Sequence, residues 1–230
     1  MRTIAIIPAR GGSKRIPKKN IKLFYNKPII SYSIKVALDS KLFDEVMVST
    51  DDLEIANLAK EFGAKVPFIR SKKASDDFAT TFDVVKEVIE KYEDNNQKFD
   101  TICCIYPCAP FITLNTLKHS FNIFNENKFE SVFPVIQYNT PIQRALKREG
   151  DQIKFINKEF ILSRSQDLEK NYYDAGQFYW INSKICALKK NIITDNSGCI
   201  VISELEAQDI DNEVDWKIAE LKYELLQSTK

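Results

Sequence analysis

The chain of 230 residues contains a single histidine, His119. Ser-His-Asp and Cys-His catalysis both need a histidine base beside the nucleophile and a third group to orient it. His119 lies in the amphipathic stretch LNTLKHSFNIF with no such partner nearby, so it reads as a helix-surface residue. Paired CxxC motifs are missing too. The cysteines are Cys103, Cys104, Cys108, Cys186 and Cys199, an odd number that argues against a disulfide framework. Without paired thiols or further histidines a zinc site has too few ligands. The run TICCIYPCAPF instead suits reduced thiols acting as small buried hydrophobes.

Long apolar runs are also absent. No stretch approaches the roughly 18 apolar residues of a membrane span, and the apolar run in MRTIAIIPAR is too short for a signal peptide. The expectation is a cytoplasmic protein without a membrane partner. Nor does one sign of charge dominate. The 33 lysines and arginines nearly cancel the 32 aspartates and glutamates, so no global field draws nucleic acid or an anionic surface. Any anion site must come from a local cluster. The length suits one α/β domain with a full core and is short for two.

Short β-rich runs alternate with helical patterns through the first half. Strands are expected at Thr3–Ile7, Glu45–Ser49, Val66–Ile69, Thr101–Tyr106 and Ser131–Ile136. Helices are expected at Ile29–Leu38, Leu53–Phe62, Thr81–Tyr92 and Leu114–Phe124. This alternation implies βαβ units and a doubly wound, mainly parallel sheet of Rossmann-like type, with ligands at the carboxyl ends of the strands. Residues 137–173 turn polar and irregular, which reads as an insertion or dimerisation arm within a single domain spanning residues 1–230. Strands at Gln177–Ile181 and Gly198–Ile202 and a helix at Val214–Leu226 complete the pattern.

Two segments carry chemistry. The first is IIPARGGSKRIPKKNI, directly after the first strand. Adjacent glycines let a backbone approach phosphate closely, and the loop's N–H groups form an anion-binding concavity. Arg10, Lys14, Arg15, Lys18, Lys19 and Lys22 supply the cations a polyphosphate needs. Neither GxxxxGK[ST] nor GxGxxG is present, and the alternative is an ordinary basic surface loop. Its position at the ligand-binding end of the sheet favours phosphate.

The second segment is EAQDIDNEVDW. In extended backbone, residues i and i+2 share a side, so Asp209 and Asp211 present two carboxylates together, a hard-oxygen pair suited to Mg²⁺. The competing assignment is helix capping, by Asp211 or Asn212, of the helix that follows. The pattern alone leaves the two open.

The order PARGGSKRIPKKN, FDEVMVSTDD, IRSKKASDD, YPCAPF and QDIDNEVD resembles the acylneuraminate cytidylyltransferase family, enzymes that make CMP-activated sialic acids. The resemblance runs from Ile4 to about Leu226. The segments SRSQDLEKNYYDAGQFYW and VPFIRSKKASDD are most similar to the branch acting on pseudaminic acid, a bacterial nine-carbon acid sugar. The resemblance implies that Arg10, Lys19 and Asn20 contact the nucleotide, and that Gly12 and Ser13 touch phosphate through backbone and hydroxyl with Lys14 nearby. It implies that Arg70 meets the base, with Ser75 and Thr80 framing cytosine and ribose, and that Asp209 and Asp211 bind Mg²⁺. Read by itself, Arg70 is a surface residue at a strand end, and Asp51 of STDD is as well suited to capping a helix as to the site. The sugar would meet Tyr106, Gln177 and Tyr179, and Arg164 would meet the sugar carboxylate or a phosphate. Alternation in QFYWI places Gln177 and Tyr179 toward the cleft and Phe178 and Trp180 in the core. Members acting on common sialic acid carry glutamine where this chain has Tyr106, which counts against that substrate.

The implied reaction is in-line attack of the sugar's anomeric hydroxyl on the α-phosphorus of CTP, with pyrophosphate leaving and Arg10, Lys19, Asp209 and Asp211 in catalytic roles. A homodimer and a role in surface or flagellar glycosylation also follow from the resemblance alone. Rival readings are a cytidylyltransferase for N-acetylneuraminic, legionaminic or an eight-carbon acid, and a non-catalytic nucleotide- or sugar-binding regulator.

Overall fold

A computed structural model describes residues 1–228. The first half runs β1 (Thr3–Pro8), β2 (Leu23–Phe24), β3 (Lys27–Pro28), α1 (Ile30–Ser40), β4 (Glu45–Ser49), α2 (Leu53–Glu61), α3 (Thr81–Asp94) and β5 (Thr101–Ile105). The second half runs α4 (Leu114–Glu126), β6 (Ser131–Gln137), β7 (Leu146–Glu149), β8 (Gln152–Phe155), β9 (Tyr172–Asp174), β10 (Phe178–Asn182), α5 (Ser183–Lys189), β11 (Ser197–Val201) and α6 (Glu213–Ser228).

The main sheet is ordered β11-β6-β10-β5-β1-β4, with β9 continuing beside β6. Pairs β1–β4, β1–β5 and β11–β6 are parallel, whereas β10 runs antiparallel between β5 and β6. Both faces are covered, which is why the strands read as continuous apolar runs. On one face Ala5, Ile7, Val48, Cys103, Ile105, Phe178 and Trp180 pack with Ile34 of α1 and Leu117 of α4. On the other, Ile4, Ile6, Met47, Ile102, Cys104, Tyr179 and Ile181 pack with Val85 and Val88 of α3 and Cys186 of α5. Trp180 is fully buried, stacks on Phe43 at 5.3 Å and donates its indole N–H to Ser120 Oγ at 2.9 Å. Truncating such a residue to alanine costs about 3–5 kcal/mol.

The expected elements appear in order with one exception. Val66–Ile69 forms no strand; only Lys65 bridges to Met47. Pro67 has no N–H to give a ladder, so pairing stops where the proline begins. Helix α5 was not legible in the sequence. Within residues 137–173 the hairpin β7–β8 forms a separate two-stranded sheet, and β9 returns the chain to β6. The described part of the chain contains no helix long and apolar enough to cross a membrane.

Candidate active site

A cavity of about 220 Å³ opens at the carboxyl ends of β1 and β5. It is lined by Arg10, Ser13, Lys14, Arg15 and Lys19 of the first loop, by Tyr106, Pro107 and Cys108 after β5, by Gly176, and by Asp209 and Asp211. The cations from the front of the chain and the carboxylate pair from its far end therefore face one space.

Short-range bonds set the loop's path. Gly11 donates its N–H to Asp51 Oδ1 at 2.9 Å, and Asn20 Nδ2 donates to the Arg10 carbonyl at 2.9 Å. The Cys108 thiol donates to Asn20 Oδ1 at 3.3 Å, and its burial pushes that thiol up to about 12, so it stays protonated. Asp52, not Asp51, caps α2, accepting from Glu54 and Ile55. The STDD motif thus divides its labour: one carboxylate starts a helix while its neighbour ties down the loop. A Cβ on Gly11 would lie 2.7 Å from Asp52 Oδ2, whereas Gly12 faces open space.

The carboxylate segment is held as tightly. Asn212 Oδ1 accepts from Val214 and Asp215 at 2.8 and 3.1 Å, and Asp215 Oδ2 accepts from Asp211 and Asn212 at 2.9 and 3.0 Å. Asn212 and Asp215 therefore cap α6 reciprocally. The cap does not use the Asp209 or Asp211 carboxylates, so the choice left open by the sequence goes against capping by Asp211. Arg15 Nη2 meets Asp211 Oδ1 at 2.7 Å, Lys19 Nζ lies 4.0 Å from the same oxygen, and Lys19 donates to the Ile210 carbonyl at 2.6 Å. Asp209 has its carboxyl pKa raised, first by partial burial and then by the like charge of Asp211.

A further carboxylate, Asp77, also holds the loop. It pairs with Arg10 Nη1 at 3.0 Å and with Lys14 Nζ, and Lys14 is the chief cause of its lowered pKa. Sequence reasoning missed Asp77, because SKKASDD reads as a solvated polar loop until the fold lays it across Arg10.

The remaining sequence candidates sit as follows. Arg70 is buried beside β4, where Nε donates to Ser49 Oγ at 3.0 Å and Nη2 to the Ser49 carbonyl; desolvation lowers its pKa. Ser75 donates to the Ser71 carbonyl, and Thr80 caps α3 through a capping box with Asp83. Arg164 is exposed after the β7–β8 hairpin and pairs with Asp167 at 2.8 Å. Gln177 and Tyr179 lie on the face opposite Phe178 and Trp180, but both are buried: Gln177 donates to the Glu206 carbonyl and Tyr179 to Asp174 Oδ2. Both faces of this sheet are covered, so alternation separates the faces without exposing either. None of Arg70, Ser75, Thr80, Arg164, Gln177 or Tyr179 lines the cavity.

A basic, glycine-bearing loop and a carboxylate pair meeting at the carboxyl end of such a sheet suit the chemistry of a nucleotidyltransferase. Comparison with known proteins narrows the class. A cytidylyltransferase family model matches residues 4–210, and the chain belongs to the cytidylyltransferase family. It is 42% identical over 226 residues to pseudaminic acid cytidylyltransferase from Campylobacter jejuni, covering 98% of this chain and 97% of that protein. It is 33% identical to CMP-N,N'-diacetyllegionaminic acid synthase from Legionella pneumophila, covering 99% and 98% of the two. Its fold is similar to that of CMP:2-keto-3-deoxy-manno-octonic acid synthetase solved with CTP. The TM-score is 0.71 at 15% identity, with 99% of this chain and all of the other covered.

Proposed function

We propose that this enzyme transfers CMP from CTP to the anomeric hydroxyl of pseudaminic acid and releases pyrophosphate. The observation that carries the reading is the shared cavity, lined by Arg10, Lys14, Arg15 and Lys19 together with Asp209 and Asp211. The identity to the Campylobacter jejuni enzyme supports the choice of sugar, and Tyr106 at the cavity wall is consistent with it.

In this reading the triphosphate displaces Asp77 from Arg10 and Lys14, and those cations with Lys19 hold the phosphate oxygens. The Gly12 N–H and Ser13 hydroxyl add neutral donors, and Asn20 keeps the Arg10 carbonyl, and with it the loop, in place. The sugar's anomeric oxygen attacks the α-phosphorus in line. A P–O bond forms to the sugar, the bond to the β-phosphate oxygen breaks, and the hydroxyl proton passes to solvent. Fixed cations around the phosphates oppose the charge that builds on them in the transition state. Arg70, Ser75 and Thr80 belong to the segment that carries Asp77, and in this reading they frame base and ribose.

Asp209 and Asp211 fit Mg²⁺. Two hard oxygen donors face the cavity; partial burial and then the charge of Asp211 raise the Asp209 pKa, and both costs are relieved when a cation binds. Among the described residues no cluster of three or more histidine, cysteine or acidic ligands exists, so water and phosphate oxygens would complete the shell. When bound, the ion neutralises phosphate charge and makes the sugar hydroxyl more acidic.

The proposal extends to a cytoplasmic homodimer of single-domain subunits. Leu162 is 94% exposed, and Leu146, Ile153 and Ile156 on or beside the β7–β8 hairpin are at least half exposed, an apolar surface that a second copy would cover. Arg164 follows on the same segment and would then approach the partner's sugar. The deciding experiment measures pyrophosphate release from CTP and Mg²⁺ with pseudaminic, legionaminic and N-acetylneuraminic acids in parallel. Preference for pseudaminic acid is expected; release with none of the three would refute the reading.

A further inference from the structure

Tyr106 is the aromatic side chain on the cavity wall, and the structure holds it from four directions. Its N–H donates to the Gln177 carbonyl at 2.8 Å, and its carbonyl accepts from Ser33 Oγ at 2.8 Å. Its hydroxyl lies 3.0 Å from Thr81 Oγ1 in the first turn of α3. Its ring packs against that of Tyr179 with centroids 5.4 Å apart.

Tyr179 is itself tied. It is 3% exposed, and its hydroxyl donates to Asp174 Oδ2 at 2.7 Å. The other oxygen of Asp174 accepts the N–H of Gly176, which lines the cavity at φ 63°. Burial, then the proximity of Tyr106 and Asp174, raises the Tyr179 pKa, so the hydroxyl remains a neutral donor. A buried tyrosine hydroxyl on a carboxylate is fixed in place, and the ring it carries becomes a rigid backing for its neighbour.

We propose that Thr81, Tyr179 and Asp174 are positioning residues for sugar recognition: they fix Tyr106, and Tyr106 is the group whose shape selects the acidic sugar. This inference rests on the cytidylyltransferase reading above. It assigns Tyr179 an indirect role, behind the wall rather than at the sugar. Asp174 serves the Gly176 turn as well as the Tyr179 hydroxyl, and phenylalanine at position 179 would fill the same volume without that second bond.

The test is steady-state kinetics of Thr81→Val, Thr81→Ser and Tyr179→Phe with CTP and pseudaminic acid, each substrate varied in turn. Losing one hydrogen bond that orders Tyr106 should raise the KM for the sugar about tenfold. The KM for CTP should stay within about twofold of wild type. Thr81→Ser restores the hydroxyl and should restore the sugar KM. If wild type turns over and both hydroxyl-deleted variants keep its sugar KM, the positioning role is wrong while the function stands. A parallel rise in both KM values, or no rescue by serine, also overturns it, because a general loosening of the fold would do the same. A wild-type protein inert toward every acidic sugar removes the function reading and this inference with it.

Discussion

Arg15 Nη2 sits 2.7 Å from Asp211 Oδ1, so an ion pair joins the loop after the first strand to the segment before the last helix. Arg15 is exposed and Asp211 partly so, and such a pair is worth at most about 1 kcal/mol to stability. Its consequence lies in placement. The Asp211 carboxylate is held at the cavity by a cation, while among the described residues the neighbouring Asp209 carboxylate has no ion pair.

Asp211→Ala should therefore cost little in folding and much in rate. The cap of α6 rests on Asn212 and Asp215, whose bonds use only the backbone N–H of Asp211. Turnover should fall by about two to three orders of magnitude, as when a preorganised charge is removed from a transition state. Pyrophosphate release and the far-ultraviolet circular dichroism of the variant read the two effects separately. Near-normal turnover would remove Asp211 from the mechanism.

Asp209→Asn should part stability from activity in the opposite way. Burial and Asp211 raise the Asp209 pKa above its unfolded value, so the folded state binds that proton more tightly than the unfolded chain. Ionisation then subtracts stability as pH rises through that window, and the deficit persists at neutral pH. Removing the charge should raise the Tm of the metal-free protein by about 1–2 °C at pH 7, after allowance for solvent screening. The gain should vanish at acid pH, below the unfolded pKa, where wild type also carries the proton. Pyrophosphate release should fall sharply in the same variant. Thermal melts at both pH values check the sign.

Much of this was legible in the chain itself. The loop after β1 announced itself through adjacent glycines among cations, and the β-rich strands through apolar runs with no polar face. At the site three things were hidden, each for a physical reason. The assignment of Asn212 rather than Asp211 to the cap depends on where α6 starts, and that boundary is set by the fold. The burial of Gln177 and Tyr179 follows from α3, α5 and the segment around Glu206 closing over that face, which strand periodicity does not report. Asp77 acquires its meaning only when the loop before α3 crosses over Arg10, far away in sequence.

Asp77 offers its own test. Its carboxylate takes the same two cations, Arg10 and Lys14, that a triphosphate needs, so nucleotide has to compete with it. Asp77→Asn removes the competing charge while keeping side-chain size. The KM for CTP should fall about two- to fivefold at low ionic strength, and the difference should shrink as salt screens the exposed charges. A raised KM would mean that Asp77 organises the loop rather than competing for it.

The two glycines of the loop should separate packing from binding. At Gly11 an added Cβ meets Asp52 Oδ2 at 2.7 Å and Asp52 Cβ at 2.9 Å, and Asp52 is the residue whose side chain caps α2. Gly11→Ala must push that carboxylate off the helix start or displace the loop, and loss of a cap typically costs about 1 kcal/mol. At Gly12 an added Cβ meets nothing within 4 Å, so Gly12→Ala should leave the Tm unchanged. Its methyl would instead project where a phosphate comes close to the backbone, and the KM for CTP should rise about tenfold. Melting curves and CTP titrations of the two variants should show opposite patterns, a lower Tm for Gly11→Ala and a weakened nucleotide site at normal Tm for Gly12→Ala. If Gly12→Ala binds CTP as wild type does, the phosphates do not pass over this turn, and the cradle must be built from Ser13 onward.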